Sequence, residues 1–319
     1  MDVVVVGELN VDLILIGLPS VPEIGQLCVA KDMEFTLGSA SAILACNLAR
    51  LGLEVGFVGK LGADDFGDFI LRYLHRSKVN ISQIIRDKHG RTGICVSMSL
   101  PENYAMASYP GIRETFRFEE VNFDYVSQAR HLHMSSYYLQ PALRPGCPEL
   151  FRRAKARGMT TSLDPDTDPS GAWDRSIFEV LRYVDVFLPN EYEATHIAGC
   201  TDLDSSVNIL RAGAKSVVVK LGSVGALVAD SRGVVHAKGF KVTPVDTTGA
   251  GDSFNAGFLH QYLRGSTMWE CLVWGNACGA ISTTKMGGTA AFPTGDEVER
   301  FLADRAPEVN EMKGALQVT

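Results

Sequence analysis

The chain has no Cys-x-x-Cys pair, no uninterrupted apolar run near 20 residues, no tandem repeat and no excess of basic residues. Each absence removes a class of function. The seven cysteines (Cys28, Cys46, Cys95, Cys147, Cys200, Cys271, Cys278) are odd in number and scattered, which points to reduced core thiols in a cytosolic protein. His131-x-His133 lies in an apolar run with no cysteine pair to join it, so a zinc site is disfavoured. A membrane span needs about 20 apolar residues, and a signal peptide needs positive charge and a longer apolar stretch than Val3–Val6. Neither is expected. With 30 Lys+Arg against 37 Asp+Glu, the net charge of −7 carries no nucleic-acid footprint. Anionic ligands stay possible, because phosphate sites are built locally from backbone N–H groups and one or two cations.

What is present is ample aliphatic content, 46% hydrophobic over 319 residues, arranged in an alternating rhythm. Val3–Val6, Val55–Val58, His131–Met134, Thr160–Leu163, Val184–Leu188 and Ser216–Lys220 read as short strands. Ser39–Leu51, Asp65–Arg76, Leu143–Arg157 and the stretch from Ala250 read as helices. Strands alternating with helices imply parallel pairing through crossovers, with helices on both faces: a doubly wound α/β domain. Residues 11–37 and 92–112 break the rhythm. They suggest a small second sheet, with two strands around Pro101-Glu102-Asn103, standing over the strand ends as a lid. No linker divides residues 1–319, so a single domain is expected.

The most informative stretch is Val245-Asp246-Thr247-Thr248-Gly249-Ala250-Gly251-Asp252-Ser253-Phe254. Phe254, Phe258 and Tyr262 are spaced for one helix face, which puts Gly249, Ala250 and Gly251 at a helix N-terminus. Unpaired N–H groups and the helix dipole favour negative charge there. Asp252, in the first turn, is placed to take a proton from an attacking hydroxyl. The same residues also read as a plain glycine turn with an ordinary helix-start acid. Spacing excludes a Gly-x-Gly-x-x-Gly dinucleotide fingerprint, and no Walker-type phosphate loop occurs.

Asp246–Asp252 resembles the C-terminal signature of the ribokinase-like, or PfkB-type, carbohydrate kinase family. Six further motifs follow in the family's order: Gly7-Glu8-Leu9-Asn10-Val11-Asp12, Arg50-Leu51-Gly52, Val58 to Gly67, Asn190-Glu191-Tyr192-Glu193, and Lys220-Leu221-Gly222-Ser223-Val224-Gly225, with Asn276 in Gly275-Asn276-Ala277. The resemblance implies a ribokinase-like fold and ATP-dependent phosphorylation of a hydroxyl on a sugar or, as the alternative, a nucleoside. A non-catalytic ligand-binding protein keeping the fold is the rival from another class. By this resemblance Asp252 is the base and Gly249, Ala250 and Gly251 form the anion hole. Asn190 and Glu193 help place Mg²⁺ and the nucleotide phosphates, often through water. Lys220, Gly222, Ser223, Gly225, Thr248 and Asn276 fall on the ATP side. Asp246 and Thr248 match part of a monovalent-cation site, with K⁺ as the expected ion. Lid sheets in the family often pair between subunits, which implies a homodimer. Read without the family, Asn190 and Glu193 are equally a helix capping box, Gly222–Gly225 a turn, and Asn276 a polar helix residue.

On the acceptor side, Asn10 and Asp12 share one face of a strand and suit a polyol, or else mark a polar strand end. The family's Gly-Gly-x-x-x-Asn is replaced by Gly38-Ser39-Ala40-Ser41-Ala42-Ile43, so the asparagine that bonds a sugar hydroxyl becomes Ile43. Either the acceptor lacks that hydroxyl or Ser39 or Ser41 serves it. Asn47, about 6 Å further along the helix, is a poor substitute. Asp164-Pro165-Asp166-Thr167-Asp168 has an acid where several relatives carry an arginine, which disfavours an anionic acceptor. Arg113 pulls the other way, or else pairs with Glu114 or Asp166. The balance favours a neutral sugar or nucleoside.

Overall fold

A computed structural model describes residues 1–100, 104–285 and 287–314; the Pro101-Glu102-Asn103 segment lies outside the described residues. The first seven strands are β1 (Val3–Val6), β2 (Asn10–Ile16), β3 (Asp32–Leu37), β4 (Val55–Gly62), β5 (Asn80–Asp87), β6 (Gly93–Ser99) and β7 (Tyr104–Tyr109). They are followed by β8 (His131–Met134), β9 (Thr160–Leu163), β10 (Val186–Phe187), β11 (Ser216–Lys220), β12 (Gly225–Asp230) and β13 (Gly233–Lys238).

The main sheet has nine strands in the order β13-β12-β11-β10-β9-β8-β1-β4-β5. From β5 to β11 every pairing is parallel, and the β11-β12-β13 edge is antiparallel. The doubly wound, mostly parallel α/β sheet expected from the sequence is therefore present. β1 shows why both faces are covered. Val3 and Val5 pack with Leu44, Leu48, Phe258 and Leu272 on one side, while Val4 and Val6 pack with Leu150, Phe151 and Ile197 on the other. A strand with period-2 side chains reads as continuous valine only when helices bury both its faces. The predicted Leu143–Arg157 helix opens as a tight turn at Arg144–Gly146 and becomes α-helical over Cys147–Ala156. Pro148 is tolerated only in that first helical turn.

β3-β2-β6-β7 form the second sheet, with β2 and β6 parallel and the outer pairs antiparallel. It corresponds to the two lid segments expected at 11–37 and 92–112. Among the described residues no helix is long and apolar enough to cross a membrane.

Candidate active site

In a parallel sheet the C-terminal strand ends face one side, and loops leaving them converge there. Here they bring together Glu8 after β1, Ser136 after β8, Asp164 and Asp166 after β9, Asn190 after β10, and Lys220 at the end of β11. The helix Ala250–Leu263 points its N-terminus at the same place.

Gly249 caps that helix at φ +70°, in the left-handed region, and a Cβ there would lie 2.6 Å from the Cα of Gly288. Only glycine fits both demands. The Ala250 N–H donates to the Thr247 carbonyl at 3.1 Å, so Ala250 does not offer its amide to a ligand, contrary to the expectation of a hole built by all three residues. The Gly249, Gly251 and Asp252 N–H groups have no partner among the described residues. Beside them stands Lys220: a Cβ on Gly251 would lie 3.6 Å from its Nζ. The cradle thus combines bare backbone donors with one ammonium.

Asp164 organises the floor. Its Oδ2 accepts from Lys220 Nζ at 2.6 Å and from Asn255 Nδ2, and its Oδ1 accepts from the Asp166 N–H at 3.0 Å. Burial works against the Lys220 charge, but Asp164, Glu193 and Asp252 together hold its pKa above the usual lysine value. Burial pushes Asp252 well above the carboxylate range. Asp164, Asp166 and Glu8 push the same way, and Lys220 opposes them. A carboxylate whose proton affinity is raised is a stronger base toward an alcohol.

Asn190 and Glu193 adopt the capping box. Glu193 Oε2 accepts from the Asn190 N–H at 2.8 Å and its Oε1 from Nδ2 at 2.7 Å, while Asn190 Oδ1 accepts from the Glu193 N–H. The pair nevertheless belongs to the cluster. Burial raises the Glu193 pKa, Lys220 counters it, and Asp164 and Asp166 raise it further. Among the described residues no three His, Cys, Asp or Glu side chains are grouped as a metal cage. Gly222 and Ser223 form an open turn into Gly225 between β11 and β12. Asn276 donates to the carbonyls of Ala237 and Lys238 at 3.0 Å, tying its helix to the end of β13. Asp246 accepts from the Thr248 N–H and hydroxyl and from the Gly287 N–H, joining two loops beside the cradle.

On β2, Asn10 Nδ2 donates to Asp12 Oδ1 at 3.0 Å. Burial lifts Asp12 to about 7 against the pull of Asn10 and Arg113, and Asp246 adds to the rise, so β2 and the Asp246 loop face each other. Gly38 lies directly beneath, where a Cβ would come within 2.2 Å of Asp12 Oδ1. The serines do not stand in for the missing asparagine. Ser39 Oγ is 2.9 Å from Glu8 Oε1, and Ser41 Oγ donates to Glu8 Oε2 at 2.6 Å. Ile43 is 3% exposed and turns its Cδ1 toward Gly288, which itself lies against the Gly249 bend. Asn47 bonds Ser253 at 3.2 Å inside the core.

Glu8 and Ser136 were not singled out from the sequence. Ser136 Oγ bridges Glu8 Oε1 at 3.0 Å and Asp166 Oδ2 at 2.8 Å. Ser39, Ser136 and Asp166 all have positive φ without being glycine, and such strain concentrates where a network over-determines the backbone. The available signal was an acid one glycine beyond an all-valine strand.

These features have counterparts elsewhere. The profile of the pfkB family carbohydrate kinases matches residues 1–295. Fructokinase-2 of Zea mays is 31% identical over 325 residues, covering 94% of this chain and 94% of its own. The ATP-dependent ribose-1-phosphate kinase of Halopiger xanaduensis is 29% identical over 306 residues, covering 94% and 97%. The crystal structure of a ribokinase from Thermotoga maritima matches with a TM-score of 0.82 at 26% identity, covering 95% of this chain and 99% of that one. With nearly its whole length matched and the ribokinase-like arrangement of sheet, second sheet and helix N-terminus in place, the chain belongs to the pfkB family of carbohydrate kinases.

Proposed function

We propose that this protein transfers the γ-phosphoryl group of ATP to a hydroxyl of a small sugar, giving the sugar phosphate, ADP and a proton. The observation that carries this is the pair of bare N–H groups on Gly251 and Asp252, beside Lys220, with the Asp252 carboxylate in the same helical turn. In this reading Asn10 and Asp12 hold the acceptor and Asp252 removes the proton of the reacting hydroxyl. The Gly251 and Asp252 amides then stabilise charge on the transferred group as the oxygen attacks in line.

Asn190, Lys220, Gly222, Ser223, Gly225, Thr248, Gly249 and Asn276 lie on the nucleotide side. Asn190 and Glu193 would hold Mg²⁺ through water, which neutralises phosphate charge when bound. Asp246 is the residue that would hold K⁺, tested by comparing rates in potassium and sodium salts. We take residues 1–319 as one cytoplasmic kinase unit with the second sheet as its lid. Ile24, Leu27, Val29, Met33 and Met106 stand exposed on that sheet and its loop, which favours a homodimer through the lid; sedimentation tests it.

The deciding experiment is ADP release with Mg·ATP against a panel of pentoses, hexoses, their acids and phosphates, and nucleosides. Asp252→Asn is expected to lower kcat by roughly 10²–10⁴ with the KM for ATP little changed. Near wild-type turnover by that variant would remove Asp252 from the role of base.

A further inference from the structure

Arg113 sits in the short turn Gly111–Thr115 after β7 and is 7% exposed. Its Nη1 donates to Asn10 Oδ1 at 3.2 Å and its Nη2 to Ser108 Oγ at 3.4 Å. Its Nε, fully enclosed, has no partner among the described residues. None of the ion pairs among the described residues includes it, so neither Glu114 nor Asp166 neutralises it. A guanidinium offers five N–H donors in a planar fork that matches a carboxylate or phosphate two oxygens at a time. Here only two donors are used, both at long range and both on neutral oxygens. A buried cation with no direct ion pair, met by a carboxylate only at longer range from Asp12, is costly.

Two features that could oppose an anion are accounted for by the structure. The acid replacing the family's arginine, Asp168, is folded into its own loop. It accepts from the Ser170 N–H and hydroxyl and from the Trp173 N–H. Asp166 is anchored on Ser136 and on the Thr167 N–H. Asp12 and Asp166 also influence Cys95 on β6 from the same space as Arg113. Burial, the leading cause for each, raises Asp12 to about 7 and Asp166 to about 6, which moderates their charge near neutrality.

We propose that Arg113 binds an anionic group, a carboxylate or phosphate monoester, carried by the sugar acceptor beside Asn10. The kinase then selects sugar acids or sugar phosphates over neutral sugars. The inference rests on the kinase reading above and reverses the neutral acceptor favoured from the sequence.

The test pairs gluconate with glucose and fructose 6-phosphate with fructose, measuring ADP release, so that the two arms separate carboxylate from phosphate. In at least one pair the anionic member is expected to have kcat/KM about 100-fold higher. Arg113→Gln should collapse that ratio through the acceptor KM while the ATP KM stays put, and Arg113→Lys should retain part of it. Preference for both neutral members, or a ratio unchanged in Arg113→Gln, overturns the inference and leaves the kinase reading standing. Should no acceptor release ADP, thermal shift with gluconate and fructose 6-phosphate decides. A rise in Tm lost in Arg113→Gln but partly kept in Arg113→Lys supports the anion site without the kinase reading, and no rise overturns it.

Discussion

Asp164 touches no bond that is made or broken in the proposed reaction, yet it fixes the residues that do. One carboxylate holds Lys220 beside the cradle and Asn255 in the helix that carries Asp252. Both Asp164 and Lys220 are largely buried, so removing one charge leaves the other without its partner. Asp164→Asn is expected to cost roughly 3 kcal/mol of stability in urea unfolding, and to raise the KM for ATP as Lys220 loses its position. A loss under about 1 kcal/mol would mean that Glu193 or Asp252 takes over as counter-ion. None of this was legible from the chain. Asp164 and Lys220 are 56 residues apart and Asp164 and Asn255 are 91 apart, and nothing local marks either pair. Asp252 and its glycines were legible because a helix N-terminus is a local device, written in consecutive residues.

At the scale of elements, β2 and the bend before the helix Ala40–Arg50 must approach closely for Asn10 and Asp12 to lie side by side. Gly38 permits that approach. A methyl group there would sit 2.4 Å from Asn10 Nδ2 and 2.2 Å from Asp12 Oδ1, so both side chains must move. Gly38→Ala is therefore expected to raise the acceptor KM about 10- to 100-fold, leaving the ATP KM near wild type, since a displacement of about 1 Å in a positioning group is costly. Equal changes in both constants would show a general loss of fold instead. The buried strands β1, β8, β9 and β11 were readable as short apolar runs because helices cover both their faces. β5, by contrast, alternates exposed and half-buried residues at a sheet edge, and β12-β13 form an antiparallel hairpin on the other edge. β5 lacks the continuous apolar pattern of a central parallel strand, and the β12-β13 hairpin has no helix between its strands, so both escaped the strand-helix rhythm. The serines after Gly38 misled for a different reason. Their hydroxyls suit a sugar chemically, but the acid that claims them, Glu8, lies 31 to 33 residues earlier.

For the whole molecule, gathering acids at one mouth of the sheet gives stability a definite pH dependence. Burial first, and neighbouring carboxylates second, raise Asp12 to about 7 and lift Asp252 and Glu193 above the ordinary carboxylate range. In the unfolded chain these groups titrate near 4. Folding therefore takes up protons above that pH, and stability falls as pH rises toward the folded-state values. Buried histidines act in the opposite sense. Burial lowers His133 and His260 to about 4 and His131 further, so their contribution is present above about 6.5 and is lost as pH falls. The two sets oppose each other most strongly below pH 6.5; above it the unfolded-state histidines lose their remaining charge within about one pH unit, and the carboxyl groups set the slope. Between pH 6.5 and 8 the Tm of the ligand-free protein should accordingly drop by several degrees, at up to about 1.4 kcal/mol per pH unit for each group involved. Asp12→Asn should make that drop shallower, because one of the contributing protons is no longer exchanged. A Tm that is level or rising over this interval, measured by calorimetry in buffers of matched ionic strength, would mean that the cleft carboxylates are already ionised in the folded protein and that Lys220 and Arg113 carry enough charge to hold them so.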